Sequence, residues 1–303
     1  MWPFLLLYYA GAAAAAGISL NDNGRGSRKI VMFRDQRPLS KCRDTIVKKG
    51  GRVIRELPLV HALAVKMPEQ GRALEELGLH PDVLLIEDDF PVRTVAMPAA
   101  RLRQGEQVVP WGVERIGAPQ VWEETAGEKV KVAVLDTGID AGHPDLKANI
   151  RGTQNIKFPG WQAGDGNGHG THVAGTIAAL NNNFGVVGVA PRAEIYAVKI
   201  FNRQGNGYIS DIIAGLDWAL QNKMQVVNMS FGTIRPSQAL EEAVRRCLQA
   251  GMVLVAAAGN EGKENSVMYP ARYPGVIAVS AIDRKNNLAS FSSRGPEVTI
   301  AAP

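Results

Sequence analysis

The chain has 303 residues, of which 46% are hydrophobic and 21% charged, a composition typical of a globular protein long enough for more than one domain. The formal net charge is +5, but the basic residues are scattered rather than clustered, which argues against nucleic acid as a partner. Two cysteines, Cys42 and Cys247, exclude a disulfide framework and have no metal-ligand spacing. Cys247 lies on the apolar stripe of a predicted helix, where we expect a small core residue.

The N-terminal run from Trp2 to Leu20 carries no charged side chain and ends in small residues. An apolar stretch with a small-residue exit resembles a signal peptide, so residues 1–27 are interpreted as a leader and the protein as secreted. The basic residues that usually precede such a stretch are absent. A retained membrane anchor and a misassigned start are the alternatives, and a membrane partner is expected only for the anchor.

Residues 28–90 predict a compact unit with two helices among four short strands. The strands are predicted at 30–33, 52–57, 59–65 and 83–86, and the helices at 39–49 and 72–79. The order β-α-β-β-α-β is typical of a small α+β, ferredoxin-like domain. The following residues, 91–107, contain two prolines and several arginines, and are predicted to be an irregular linker open to cleavage.

Residues 108–303 alternate between continuous apolar strands and amphipathic helices. Strands are predicted at 130–135, 195–200, 226–229, 253–258 and 276–281, and helices at 171–180, 209–220 and 238–250. Strands that are apolar on both faces favour an α/β fold, with a mostly parallel sheet covered by helices on both faces.

Several polar residues stand where such a sheet places its ligand sites, beyond the carboxyl ends of strands. Asp136, Ser230 and Asn260 each follow an apolar strand, and His169 precedes a helix within D-G-N-G-H-G-T-H-V-A-G. Asp-Thr-Gly also occurs in aspartic proteases, but that class needs two such loops. His169 and His172 have the spacing of a metal pair but lack a third ligand, so His172 is expected to be a buried structural histidine.

Three segments in fixed order carry a more specific signal: V-A-V-L-D-T-G-I-D, G-H-G-T-H-V-A-G-T and A-A-A-G-N-E-G, with Y-A-V-K and N-M-S-F-G between them. On these segments the chain resembles the subtilisin family of serine proteases (subtilases, peptidase S8). The resemblance covers Trp111 to Pro303 and implies a subtilisin-like catalytic domain acting on protein or peptide substrates. The segment G-G-R-V-I-R-E-L-P-L-V-H-A-L-A-V-K-M-P resembles the family's inhibitor I9-type propeptide. It implies a zymogen with its own propeptide bound in cis, whose tail at 91–105 occupies the cleft.

The resemblance also implies roles for individual residues. Asp136 would orient His169, His169 would act as general base and acid, and Asn260 would donate its amide to the oxyanion. Two segments would pair with the substrate backbone and two further residues would line the pocket before the cut. These substrate-binding residues are Ser230, Phe231 and Gly232, then Gly205, Asn206 and Gly207, and finally Ala257 and Gly259.

A structural calcium site is implied by the same resemblance. The side chains of Gln107, Asp145 and Asn182 would supply oxygens, together with the carbonyls of Leu180, Phe184 and Val186. An all-oxygen shell suits Ca²⁺, although an ordinary asparagine-rich turn is the alternative.

One motif of the family does not occur in the sequence. The nucleophile belongs to a G-T-S-[MA]-A-x-P segment, and none is found among the 303 residues. Ser292 and Ser293 match ordinary serines of the family and are not taken as the nucleophile. The expectation is therefore an incomplete, inactive fragment of a serine endopeptidase. The alternative is a natural short pseudo-protease that binds peptides or inhibits a sister enzyme.

Overall fold

The computed structural model describes residues 26–34, 38–69, 72–94 and 106–303. The predicted leader at 1–27 therefore lies almost wholly outside the described residues, as does the part of the predicted linker from 95 to 105. Within the described part of the chain, no helix combines the length and the apolar character needed to cross a bilayer.

The N-terminal unit, defined here as the described residues between 26 and 90, has the predicted β-α-β-β-α-β order. Its sheet has the strand order β2-β3-β1-β4 with antiparallel neighbours. The third strand begins later than predicted, because Pro58–Val60 forms a 3₁₀ turn and His61 is left-handed with φ of 49°. The elements are β1 (Ser27–Phe33), α1 (Leu39–Lys48), β2 (Arg52–Leu57), β3 (Ala62–Met67), α2 (Ala73–Gly78) and β4 (Val83–Asp88).

Both faces of this antiparallel sheet are covered. On one face Val31 and Phe33 pack with Ile46 of α1 and Leu77 of α2. The alternate residues of the same strand, Ile30 and Met32, belong to a larger core shared with residues beyond 106. The period of two along the strand thus divides its side chains between its own helices and the rest of the protein.

The C-terminal unit, residues 106–303, is built on a seven-stranded sheet in which every neighbouring pair is parallel. The strand order is β14-β13-β12-β10-β6-β8-β7. The elements from residue 91 onward are β5 (Pro91–Thr94), α3 (Trp111–Arg115), β6 (Lys131–Asp136), β7 (Ile150–Asn155), α4 (His169–Ala178), β8 (Glu194–Lys199), β9 (Asn206–Tyr208), α5 (Ile209–Gln221), β10 (Val226–Met229), β11 (Phe231–Gly232), α6 (Gln238–Gln249), β12 (Val253–Ala257), β13 (Ile277–Ala281) and β14 (Ile300–Ala302).

Helices cover both faces of this sheet, as predicted. Val132 and Val134 of β6 pack on the side of α4, with Ala174 and Ala178. Ala133 and Leu135 face the opposite core, which contains α5 and α6. Cys247 of α6 is fully buried in that core, which confirms the expectation for this cysteine.

The prediction of an irregular linker from residue 91 was wrong for its first four residues. Pro91–Thr94 forms β5, the central strand of a separate three-stranded antiparallel sheet with the order β11-β5-β9. Short segments that find partners only in distant parts of the chain carry little local signal.

Candidate active site

Asp136 and His169 form a buried hydrogen-bonded pair at the carboxyl edge of the parallel sheet. Asp136 is the last residue of β6 and is fully buried, and His169 is the first residue of α4. Nδ1 of His169 lies 2.7 Å from Oδ1 of Asp136, and the histidine side chain is 7% exposed. The structure therefore brings together two residues that lie 33 positions apart in sequence.

A close approach between α4 and the turn after β6 makes this pair possible. A β-carbon placed on Gly170 would lie 2.2 Å from the carbonyl oxygen of Gly138 and 3.1 Å from Cβ of Asp136. Such contacts are far inside van der Waals distance, so only glycine permits this packing immediately after His169.

Asp165 organises the loop that leads to His169, and it was not among the predicted residues. Its Oδ1 accepts hydrogen bonds from the Thr137 hydroxyl (2.8 Å) and from the amide of Gly168 (2.8 Å). Its Oδ2 accepts from the amide and the hydroxyl of Thr171, at 2.9 and 2.7 Å. One carboxylate thus ties the turn after β6 to the first turn of α4. The Asp in D-G-N-G-H could have suggested it, because aspartates commonly bond to backbone amides two or three residues ahead.

The electrostatic setting of Asp136 is unusual. Burial raises the pKa of Asp136, against the hydrogen bonds from His169 and from the Thr137 amide. Its Oδ2 is buried and has no hydrogen-bond partner among the described residues. Partial burial acts to raise the pKa of Asp165, but the bonds from Thr171, Gly168 and Thr137 outweigh it and the pKa is lowered. Burial lowers the pKa of Lys199, against the attraction of Asp165 and Asp136.

Asn260 follows β12 at the same edge of the sheet. Strands β6 and β12 both flank β10 and run parallel to it, so Asn260 and Asp136 emerge from the same side, two strands apart. Asn260 is exposed to solvent. Ala257 ends β12, and Gly259, with φ of 115°, turns the chain toward the loop. The structure thus places all three of these predicted residues at one edge.

The two segments predicted to pair with a peptide backbone lie on either side of β5. Strand β9 begins at Asn206 and strand β11 at Phe231, and β5 is antiparallel to both. The amide of Thr94 donates to the carbonyl of Gly205 over 3.0 Å. Phe231 is fully buried and packs edge-on against Phe201, with ring centroids 5.1 Å apart. A rigid apolar floor therefore supports a cleft that holds an extended strand.

Gly205 marks how closely the strand fits this cleft. Its φ is +74°, and a β-carbon there would lie 2.4 Å from Oγ1 of Thr94. Any larger residue at position 205 would be strained and would also collide with β5.

Carboxylates of the N-terminal unit cap the two helices next to the cleft. Glu87 accepts from the Ser237 hydroxyl (2.5 Å) and from the amides of Gln238 (2.9 Å) and Ala239 (3.3 Å), at the start of α6. Asp89 accepts from the amide and the hydroxyl of Ser210 at the start of α5, over 2.9 and 2.8 Å. Negative groups at helix N-termini satisfy amides that lack intrahelical partners and complement the helix dipole.

The residues predicted to hold calcium converge on one side-chain amide. Nε2 of Gln107 lies 2.6 Å from the carbonyl oxygen of Leu180, 3.1 Å from that of Phe184 and 3.2 Å from that of Val186. Oδ1 of Asn182 is 3.4 Å from the same atom. Asp145 is buried beside the loop, where Oδ1 accepts from Nδ2 of Asn182 and Oδ2 from the Val186 amide.

One further histidine and two serines do not enter the site as reactive groups. His172 is exposed on α4, so the prediction of a buried structural histidine was wrong. It stands three residues after His169 in a helix whose buried positions are Gly170, Ala174 and Ala178, and so falls on the outer face. Ser292 and Ser293 are buried, and their hydroxyls accept from the amides of Ala281 and Glu261.

Comparison with known proteins identifies relatives whose family agrees with this fold and with the residues at the carboxyl edge of its sheet. The model of the subtilase family matches residues 127–303. The chain is 42% identical to subtilisin E of Bacillus subtilis, over 99% of this chain and 76% of the relative. It is 47% identical to an alkaline protease of Alkalihalobacillus alcalophilus, over 83% of this chain and 62% of that protein. A thermostable alkaline protease of Halalkalibacterium halodurans is 45% identical, over 82% of this chain and 63% of that protein.

A parallel α/β sheet with an Asp–His pair and an asparagine at its carboxyl edge is the architecture of a subtilisin-like serine protease domain. The chain belongs to the subtilase family.

Proposed function

We propose that this protein is the precursor of a serine endopeptidase, in which Asp136 and His169 activate a serine hydroxyl and Asn260 stabilises the oxyanion. The observation that carries the proposal is the buried 2.7 Å contact between His169 and Asp136, at the edge of the sheet that also carries Asn260. The 42% identity to subtilisin E over nearly the whole chain supports it independently.

In the proposed mechanism Asp136 fixes the tautomer of His169. Oδ1 accepts the proton on Nδ1, which leaves Nε2 with a lone pair that can take the proton of a serine hydroxyl. The serine oxygen attacks the scissile carbonyl, and Nε2 then gives its proton to the leaving amine. The negative charge of Asp136 stabilises the imidazolium formed between these steps. The amide of Asn260 would donate to the carbonyl oxygen as it becomes negative, a contribution of about 10²–10³-fold in kcat in a subtilisin.

The nucleophile is assigned to sequence outside these 303 residues, since they contain no G-T-S-[MA]-A segment. In this mechanism His169 acts only on a nucleophilic serine, so without that segment we expect no turnover by the 303-residue chain itself. A second candidate function is peptide binding without catalysis. Its support is the cleft between β9 and β11, which holds an extended strand by backbone pairing in the absence of that segment.

The proposed substrates are proteins and peptides bound as extended strands. Strand β5 represents such a substrate, because main-chain pairing with β9 and β11 gives affinity largely independent of side chains. The pocket for the residue before the cut is assigned to Ala257 and Gly259, and the backbone contacts to 205–207 and 230–232.

The N-terminal unit is proposed to be the protein's own propeptide, bound in cis. Its carboxylates cap α5 and α6, its sheet shares a core with both helices, and its continuation β5 fills the cleft. The uncharged run from Trp2 to Leu20 supports export through a leader, and a secreted enzyme would follow once the leader and propeptide are removed. Cleavage of the propeptide is assigned to the 91–107 region, beyond the end of β5.

An extension of the chain tests the central proposal. The 303 residues are joined to the serine segment of subtilisin E, and hydrolysis of a chromogenic peptide is compared with that of the original chain. We expect turnover only from the extended chain. Replacement His169→Ala in that chain should lower kcat by roughly 10⁶-fold, the loss measured for the catalytic histidine of a subtilisin. Turnover by the 303-residue chain, or turnover unaffected by His169→Ala, would contradict the assignment.

We further propose that Ca²⁺ binds at Gln107 and the 180–186 loop. Rotation of the Gln107 amide would point Oε1 toward the oxygens that now surround Nε2, and oxygens converging on one point repel one another unless a cation lies between them. The described residues hold no cluster of three His, Cys, Asp or Glu side chains, so carbonyl and amide oxygens would dominate the shell. When bound, the ion would tie the segment before α3 to this loop.

The calcium proposal is tested by thermal unfolding in Ca²⁺ and in chelator. A ligand that binds only the folded state raises the free energy of unfolding, by about 2.7 kcal/mol when its concentration is 100 times its Kd. The Tm rises with it. Asp145→Asn should remove most of that increase, whereas the exposed Asp140→Asn should retain it. No difference between Ca²⁺ and chelator would overturn the proposal.

A further inference from the structure

A buried lysine lies behind the Asp136–His169 pair. Lys199 is the last residue of β8 and only 6% exposed, and in the sheet register it stands directly opposite Asp136, the last residue of β6. Its ammonium group donates a hydrogen bond to the carbonyl oxygen of Thr137, the residue after Asp136. A fixed positive charge is therefore held against the backbone that carries the carboxylate.

The charges around this lysine are nearly balanced. Asp136 and Asp165 are carboxylates within the same network, joined through Thr137, whose amide binds one and whose hydroxyl binds the other. Oδ2 of Asp136 is buried, and the part of the chain that the structure describes offers it no hydrogen-bond partner. Removal of a carboxylate from water is costly unless an opposite charge lies close. Two carboxylates, one ammonium and a protonated His169 sum to zero, and a neutral His169 leaves one negative charge.

We propose that Lys199 is a positioning residue that keeps Asp136 ionised inside the fold and limits how strongly the two carboxylates hold a proton on His169. The proposal goes beyond the roles assigned to Asp136, His169 and Asn260, and it does not require that the protein hydrolyse peptides. A base that is too tightly protonated cannot accept a proton near neutral pH, so the balance would decide the pH range in which His169 is competent.

Among the residues that the structure describes, the other charged groups near the pair are paired or exposed, which leaves this role to Lys199. On the turn after β6, Asp140 is exposed and its Oδ1 accepts from the Gly142 amide. His172 is exposed on α4, and the exposed Arg203 places its methylene groups beside Gly166. Lys157, whose amide bonds to the carbonyl of Lys199, directs its ammonium to Asp211 at 2.6 Å. These groups are screened by water or paired elsewhere.

NMR titration of the imidazole of His169 in the 303-residue chain tests the proposal. The chain has five histidines, and the spectrum of His169→Gln identifies the signal. With Lys199→Met we expect the titration midpoint of His169 to move to higher pH, because a nearby positive charge is lost. The proton concentration at the midpoint should fall by about tenfold. Lys199→Arg should restore the midpoint, and a purely structural lysine would not produce this charge-dependent pattern.

Two controls separate charge from packing. Lys157→Met removes another largely buried lysine, one paired with Asp211, and should leave the His169 midpoint unchanged. Lys199→Gln keeps a donor for the Thr137 carbonyl and repeats the test if Lys199→Met does not fold. An unchanged midpoint in a folded, neutral variant at position 199, or a shift to lower pH, would overturn the proposal. Neither result would bear on peptide hydrolysis, which is measured separately.

Discussion

At the scale of single residues, the Asp136–His169 pair has the geometry of a catalytic base, but the burial of Asp136 costs folding stability. Asp136 is fully buried, and one of its two carboxylate oxygens has no hydrogen-bond partner within residues 26–34, 38–69, 72–94 and 106–303. Its ionised form is therefore less favourable in the folded chain than in the unfolded chain, which is the meaning of its raised pKa. Residues under such strain are expected at functional sites, where stability is given up for reactivity.

Asp136→Asn should therefore stabilise the folded chain at neutral pH, by about 1 kcal/mol or more. The folded-state pKa of Asp136 is raised above its ordinary value of 3.8, so the destabilisation by the ionised carboxylate appears as pH rises through that raised pKa. Below 3.8 the aspartate is neutral in both states and the two chains should converge. Urea unfolding at several pH values measures the difference, with the exposed Asp140→Asn as control. A loss of stability at neutral pH would contradict this account of the site.

The role of a residue could be predicted from the sequence where the residue belongs to a recognisable motif. It could not be predicted where the role depends on contacts with residues distant in the chain. Asp136, His169 and Asn260 could be predicted because each stands in a short segment of recognisable order. Lys199 could not be assigned, because an isolated lysine at a strand end has no meaning until the register places it opposite Asp136. Asp165 was missed although its place in D-G-N-G-H offered a signal. His172 was misjudged because its side of α4 depends on how the helix packs.

At the scale of elements, the strands and helices with continuous apolar character were predicted closely. β2 and β10 match the predicted ranges, and α5 and α6 differ by one residue at their ends. β7 was missed because I-R-G-T-Q-N is largely polar, which its position at the edge of the sheet allows. β5 and β14 were missed because three or four residues carry no usable period, and their partners lie far away in the chain.

The capping of α6 by Glu87 gives an element-scale prediction. Glu87→Ala removes an acceptor from the Ser237 hydroxyl and from two amides, and should destabilise docking of the N-terminal unit by about 1–2 kcal/mol. Faster hydrogen exchange at 238–240 and a lower urea midpoint are the expected observations. The exposed Glu75→Ala on α2 serves as matched control and should change neither. Equal effects of the two substitutions would show that the cap does not stabilise docking.

At the scale of the whole molecule, the two units are joined by a common core and by a strand. Ile30 and Met32 of β1 belong to the same apolar core as α5 and α6, and β5 continues the N-terminal unit into the cleft. The α/β architecture and the β-α-β-β-α-β order followed from the alternation of elements. The insertion of β5 between β9 and β11 could not be derived from local pattern, since its partners begin more than 100 residues later.

This arrangement predicts where the extended chain is processed. Strand β5 lies between β9 and β11, the position proposed for a substrate, so the backbone beyond Thr94 should be the first to be cut. Intact-mass measurement of the extended chain should give a new N-terminus between residues 95 and 107, absent when His169→Ala is introduced. A new N-terminus elsewhere, or one that persists in His169→Ala, would contradict the placement.

The most direct measurement is covalent labelling of the extended chain with a fluorophosphonate, which reacts with serine hydroxyls activated by a neighbouring base. After removal of the N-terminal unit, the account predicts one adduct, on the serine of the added segment, and its loss with His169→Ala. No adduct on a folded extended chain, or an adduct whose rate is unchanged by His169→Ala, would contradict the claim that Asp136 and His169 are the base of a serine endopeptidase.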